Sequence, residues 1–396
     1  MTAMNQLKNR NRLDSLDILR GLVIVLMAID HVRDFWSLEA FAPEDLSQTS
    51  PEYFFTRWIT HFCAPVFVFL AGTSSFLYGQ KINDNKALSQ FLLIRGLWLI
   101  FIEIVVINFS FSLGFFWGGW RLCLQVIWAI GVSMVVLAGL VRLSHTLILL
   151  ISLILIFGHN LFNHVVPADL GSLGWLWKML HEGGYQALNS TGTYGVYFAY
   201  PILPWIGVMG AGYVFGRVML HDQANRFKWL WRLGLGAIVF FVVLRLSNLY
   251  GDTSHWLHQK DALFTFISFI NTQKYPPSLL FLLMTLGPAF LLLIWFEKKT
   301  NHVFTWLKVF GRVPFFFYLL HFFFIHLTSL VYFKVVYGEW FDLINNQNSR
   351  SWPDFYQPSL LRLYLVWAGT IFIFYFICRW FDRYKSSHQQ WWLKFF

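Results

Sequence analysis

The sequence predicts an all-α, polytopic membrane bundle of about ten spanning helices with both termini on the cytoplasmic side. Three observations predict it. Hydrophobic residues make up 57% of the 396, aromatic residues 20% and charged residues only 13%, against roughly 25% charged in an average soluble protein. Apolar runs reach the length of about 20 residues that a bilayer demands and do not alternate, which favours helices over a barrel because a helix satisfies its own backbone hydrogen bonds in lipid. Lysines and arginines then fall on alternate loops, as the positive-inside rule requires.

The spans are expected at 16–36, 57–79, 90–110, 122–142, 144–162, 196–217, 229–249, 277–296, 313–336 and 359–381. The fourth and fifth are joined by almost nothing, at Arg142, Leu143 and Ser144, so these two form a tight antiparallel pair, unless the fifth is re-entrant. With the N-terminus inside, the inner loops collect Lys8, Arg10 and Arg12, then Lys81 and Lys86, Arg142, Arg217 to Arg232, Lys298 to Arg312, and Arg379 to Lys394. The outer loops hold mainly Lys178, Lys260, Lys274 and Arg350. The net charge of +10 is thereby an orientation and membrane-surface signal, and nucleic acid is excluded as the expected partner. The first apolar run is long, carries Arg20 and Asp30 and lacks a small-residue cleavage site, so it reads as a retained helix. Cys63, Cys123 and Cys378 are odd in number, without metal spacing, and fall in predicted helices as small core residues. The division expected is a cytoplasmic segment 1–15, one membrane domain 16–381 and a cytoplasmic tail 382–396, with outer loops that are at most lids or small caps.

Ionisable groups inside spanning helices are costly and usually face a cavity. In the first helix Arg20 and His31 are eleven residues apart, three helical turns and roughly 16 Å along the axis, with Ile24 and Met27 on the same stripe. One face thus offers a fixed cation near the inner end and a titratable base towards the outer end, as a group transfer across the bilayer needs. The ordinary alternative is an Asp17–Arg20 pair at one helix end and a solvated terminus from Asp30 to Asp34 at the other. In the second helix Arg57 and His61 descend from the outer side, so His61 is expected at the depth of His31, where the two imidazoles can share a cavity. Ser74 is a polar group near the inner entrance. The alternative for His61 is a buried ring satisfied by a backbone carbonyl. Lys274, Tyr275 and the two prolines that follow form a rigid outer entry to the eighth helix. Gly311-Arg312-Val313-Pro314 opens the ninth with a cation and amides suited to a phosphate, and His321 lies near mid-membrane, as a functional or a packing residue. In the sixth helix Gly212 and Gly216 make a small-residue packing face.

These residues together resemble a known family. Asp17 to Leu22 with Asp30-His31, Pro65 to Gly72, Tyr200-Pro201 to Gly216, Lys274 to Leu280 and Gly311 to His321 are similar to the bacterial heparan-alpha-glucosaminide N-acetyltransferase-like membrane proteins, over about Leu13 to His326. The wider resemblance is to transmembrane acyltransferases, including the family 3 O-acyltransferases, whose first helix carries a basic residue, ten residues, then His. The resemblance implies acetyl-CoA as co-substrate, bound from the cytoplasm, with the acetyl group passed to a sugar hydroxyl or amine of an envelope glycan or glycolipid on the other side of a bacterial inner membrane. Arg20, with Arg312 and Ser74, would hold the CoA. His31 would be the base or a transient acetyl carrier, with Asp30 or His61 orienting its ring. Arg57, Lys274, Tyr275 and His321 would meet the acceptor. The lysosomal relatives place their catalytic His in the segment after the first helix, whereas 37–53 here has none. The catalytic role therefore falls on His31 or His61, and the lysosomal substrate does not transfer. A proton-coupled transporter or flippase using Asp30, His31 and His321 is the competing class; a haem protein is disfavoured, and no metal is expected. A homo-oligomer is compatible with the sequence.

Overall fold

The computed structural model describes residues 14–113, 121–298, 302–344 and 352–395. Lys8, Arg10, Arg12, Lys299, Arg350 and most of the expected segment 1–15 lie outside the described residues. The helices in chain order are α1 (Asp14–Trp36), α2 (Pro51–Ile82), α3 (Asn85–Ser112), α4 (Val126–Leu140), α5 (His145–Phe162), α6 (Ile202–Leu220), α7 (Gln223–Ser247), α8 (Ala262–Ile270), α9 (Leu279–Lys298), α10 (His302–Arg312), α11 (Pro314–Tyr337) and α12 (Leu360–Ser387). Among the described residues, eight helices are long and apolar enough to cross a membrane. The other two expected spans are α1, 23 residues long and rich in charge, and α4, an apolar helix of 15 residues. The chain is a multi-pass helical membrane protein.

Local chemistry sets the joints. α2 stops where Asn83 takes up left-handed backbone at φ 53°. Asp84 then starts α3, its carboxylate accepting from the amides of Lys86 at 2.8 Å and Ala87 at 3.1 Å. α1 runs through the middle, packed on α2, α9, α10, α11 and α12. A helix buried nearly all round belongs in the interior of a bundle, and 17 of its 23 residues are buried, Asp17 and Asp30 included. Its approach to α10 is backbone against backbone: a Cβ on Gly21 would lie 1.9 Å from the Leu307 carbonyl oxygen, and one on Gly311 would lie 1.7 Å from that of Asp17. Gly212 packs in the same way on the Phe69 carbonyl of α2, and Gly216 packs on the ring of Phe76, as expected of a small-residue face.

Three features depart from the expected pattern. The first residues of the fourth and sixth spans are strands: β1 (Arg121–Leu124) pairs in parallel with β3 (Gly195–Phe198), and β2 (Gly184–Ala187) pairs antiparallel with β3. Hydropathy alone does not separate a short apolar strand from a helix end, and Cys123 accordingly sits in a strand. Second, the segment leading to Arg312 is the amphipathic helix α10, with Phe304, Leu307 and Phe310 buried. The Gly311-Arg312 pair therefore ends one helix, and Pro314 begins the next. Third, α12 continues to Ser387, beyond the expected start of the tail, and a turn at Trp391–Phe395 follows it. The loops between helices are held by local hydrogen bonds. The one after α7 is held by the buried guanidinium of Arg245, which donates to the carbonyls of Ser254, Ser268, Phe269 and Asn271 at 2.6–2.9 Å.

Candidate functional site

The stripe along α1 faces a cavity of about 600 Å³, which Arg20, Ile24 and Met27 all line. Six cations surround it: Arg20, Lys81, Arg95, Arg312, Lys385 and Lys394. No acidic residue is among the described lining residues. The remainder is largely apolar, from Phe67 and Leu99 through Val126, Ile130 and Met134, with Tyr318 also lining it. Size and lining suit a small organic molecule with an anionic end.

Arg20 is held in place from three sides. It donates to Asp17 Oδ1 at 3.0 Å, to the Gly311 carbonyl at 3.1 Å and to Ser74 Oγ at 2.9 Å, so α1, α2 and α10 meet on one guanidinium. Arg312 pairs with Asp382 at 3.3 Å and is partly exposed. Arg20, Ser74 and Arg312, expected as one group from the sequence, do line one cavity. Arg95, Lys385 and Lys394 complete it from α3 and the C-terminal segment, where Arg95 donates to the Lys394 carbonyl at 3.1 Å. Residues so far apart in the chain carry no common sequence signal.

Next on the stripe comes His31, half-buried, with Tyr318 edge-on at 6.1 Å between ring centroids. Tyr318 belongs to both regions, because it also lines the cavity. The partner of the His31 ring is His321: Nδ1 of His31 lies 2.6 Å from Nε2 of His321, and Phe322 packs on the same ring at 4.1 Å. Neither Asp30 nor His61 fills that role. Asp30 is the neighbouring residue on α1, turned by about 100°, and it faces Arg57, Arg33 at 3.3 Å and Lys274 at 3.5 Å. His61 lies in a 3₁₀ turn, Ile59–Phe62, where each residue advances about 120° rather than 100°. That changes the phase of the helix, and His61 packs edge-on to Phe281 of α9 at 5.6 Å, its Nε2 3.7 Å from Glu44. The two imidazoles expected to share a cavity thus have different ring partners, His321 for His31 and Phe281 for His61. His321, expected against the acceptor, is fully buried with both nitrogens engaged.

Around the C-terminal end of α1, opposite charges are closely matched. Arg57 bridges Asp30 and Glu44, the latter at 2.8 Å, and Arg33 reaches Asp34 at 2.8 Å and Glu39 at 3.8 Å. Burial would raise the Glu44 carboxyl, yet the Arg57 guanidinium holds it well below the usual carboxylate range. Burial pushes the Glu39 carboxyl up to about 7, with Arg33 opposing the shift only in part. Tyr275 stands half-exposed beside this cluster, its ring below the Lys274 ammonium at 5.3 Å and its hydroxyl 3.4 Å from that of Tyr200. Sequence reasoning missed Glu44, Tyr318 and Glu103. The last is a fully buried carboxylate in a π-helical stretch of α3 that accepts the Gln125 amide at 2.8 Å and so caps α4.

A search of curated proteins finds no match to the chain. The model of one family, described as heparan-alpha-glucosaminide N-acetyltransferase, catalytic, matches residues 12–249. That span holds Arg20, His31, Arg57, His61 and Ser74, and covers more than half of the sequence. The chain therefore belongs to the heparan-alpha-glucosaminide N-acetyltransferase catalytic family of membrane proteins.

Proposed function

We propose that this protein transfers an acetyl group from acetyl-CoA to an amine or hydroxyl of an envelope glycan or glycolipid across a bacterial inner membrane. The observation that carries the reading is the cavity beside α1, ringed by six cations and lined by Tyr318, the neighbour of His31. Arg20, Lys81, Arg95, Arg312, Lys385 and Lys394 supply charge-assisted hydrogen bonds to the phosphates of CoA. The apolar wall suits the pantetheine arm, which carries the thioester towards His31. Lys81, Arg312, Lys385 and Lys394 are all on segments that the charge pattern assigns to the cytoplasm, so the donor enters from that side, and both termini lie there. The acceptor comes from the opposite side, past Arg57, Lys274 and Tyr275, and His31 removes its proton. One membrane domain, residues 16–381 with short flanking segments, carries all of this.

The test uses purified protein with acetyl-labelled CoA and amino- or hydroxyl-bearing sugar acceptors, comparing wild type with His31→Ala. Label should pass to the acceptor with release of CoA, and the variant should lose this activity. A wild type that neither binds CoA nor releases it, or a His31→Ala protein as active as wild type, overturns the reading. Reconstitution in vesicles, with acetyl-CoA supplied on one side only, tests the direction.

A further inference from the structure

The ring of His321 is fixed by its own helix. Its Nδ1 lies 2.9 Å from the Phe317 carbonyl oxygen and 2.8 Å from that of Tyr318, one turn earlier on α11, and Phe317 stacks on the ring at 4.7 Å. Carbonyl oxygens only accept, so Nδ1 of His321 carries a proton. In the neutral imidazole its Nε2 then holds only a lone pair. That lone pair faces Nδ1 of His31 at 2.6 Å, so the proton between the rings belongs to His31. What is left to His31 is an unprotonated Nε2. This atom has no hydrogen-bond partner among the described residues and is not sealed from solvent, whereas His321 is fully buried.

We infer that His321 is a positioning residue that locks His31 in the Nδ1–H tautomer and makes Nε2 of His31 the acting base. The role follows the logic by which a buried acceptor fixes the tautomer of a catalytic histidine, with a second imidazole in place of a carboxylate. It rests on the acetyltransferase reading for its chemistry and on the geometry for the tautomer. As the acceptor nitrogen or oxygen attacks the thioester carbonyl carbon, its proton passes to Nε2 of His31. The carbon–sulfur bond breaks, and the leaving thiolate takes that proton. Both rings end as they began, each protonated on Nδ1. While His31 is charged, its Nδ1–H still donates to His321.

The tautomer is read directly by nitrogen NMR of the full chain labelled with [15N]histidine, the signals of the two rings being assigned with His31→Gln and His321→Gln. Both rings should show a protonated Nδ1 and a bare Nε2. A protonated Nε2 on His31 overturns the inference whatever the activity. In the transfer assay kcat should fall about 10²- to 10⁴-fold in His321→Ala with CoA affinity unchanged. His321→Gln, whose side-chain carbonyl accepts the same proton, should recover part of the loss. Wild-type kcat in His321→Ala also overturns the inference. If the tautomers are as stated but the wild type transfers no acetyl group, the acetyltransferase reading falls and the hydrogen-bonded pair stands.

Discussion

The Arg20 guanidinium donates to the Ser74 hydroxyl at 2.9 Å, tying the helix that carries His31 to the wall of the cationic cavity. A hydrogen bond to a charged group contributes about 1.5–3 kcal/mol. Arg20→Ala is therefore expected to weaken CoA binding by about 10- to 100-fold. Ser74→Ala, which removes one of three anchors and leaves the cation, should cost less than about tenfold. Titration calorimetry with CoA on detergent-purified protein measures both; a Ser74→Ala loss larger than that of Arg20→Ala would contradict the assignment.

Asp30 is the shared acid for Arg57, Arg33 and Lys274. Breaking a buried ion pair by removing one partner costs about 3–5 kcal/mol, because the surviving charge stays buried without compensation. Asp30→Ala leaves the buried Lys274 ammonium without an acid partner among the described residues and takes one acid each from Arg57 and Arg33, so it is expected to lower the thermal midpoint more than Arg57→Ala does, since Arg57 removal leaves Asp30 two other partners. Thermal unfolding followed by intrinsic tryptophan fluorescence checks the order. Equal midpoints for the two variants would contradict it.

Gly21→Ala puts a methyl group 1.9 Å from the Leu307 carbonyl oxygen, against backbone rather than a movable side chain. Overpacking typically costs about 1–3 kcal/mol, and here α1 and α10 must separate to admit the group. The separation would also move Arg20 away from the Gly311 carbonyl. The expected result is a lowered thermal midpoint together with weaker CoA binding, whereas Gly139→Ala, with open space around it, should change neither.

Glu39 gives the protein a pH-dependent stability outside the spanning segments. Its carboxyl is pushed up to about 7 by burial in the folded protein, so between about 4.5 and 7 the folded state binds more protons than the unfolded chain. The contribution is complete below about 4.5 and is lost as the pH rises through about 7, amounting to roughly 3 kcal/mol at most. Wild type should therefore lose thermal stability between pH 4.5 and 7 more steeply than Glu39→Gln. Parallel melting curves for the two proteins across that window would refute this.

The sequence by itself determined that the chain is a multi-pass helical membrane protein, and that Arg20, Ile24, Met27 and His31 share one face of the first helix. Length of apolar run, sidedness of lysine and arginine, and the period of a helix are local properties that need no partner. The tertiary structure decided what each of those residues meets. His31 and His321 are 290 positions apart, and no spacing rule reaches across that distance. A single 3₁₀ turn swings His61 towards Phe281, and that change of phase is invisible to a reading that assumes a regular helix. The strands at Arg121–Leu124 and Gly195–Phe198 exist because each satisfies the other's backbone, which neither sequence announces alone. The cavity gathers its cations from five helices and the C-terminal turn, so it exists only once the bundle has closed.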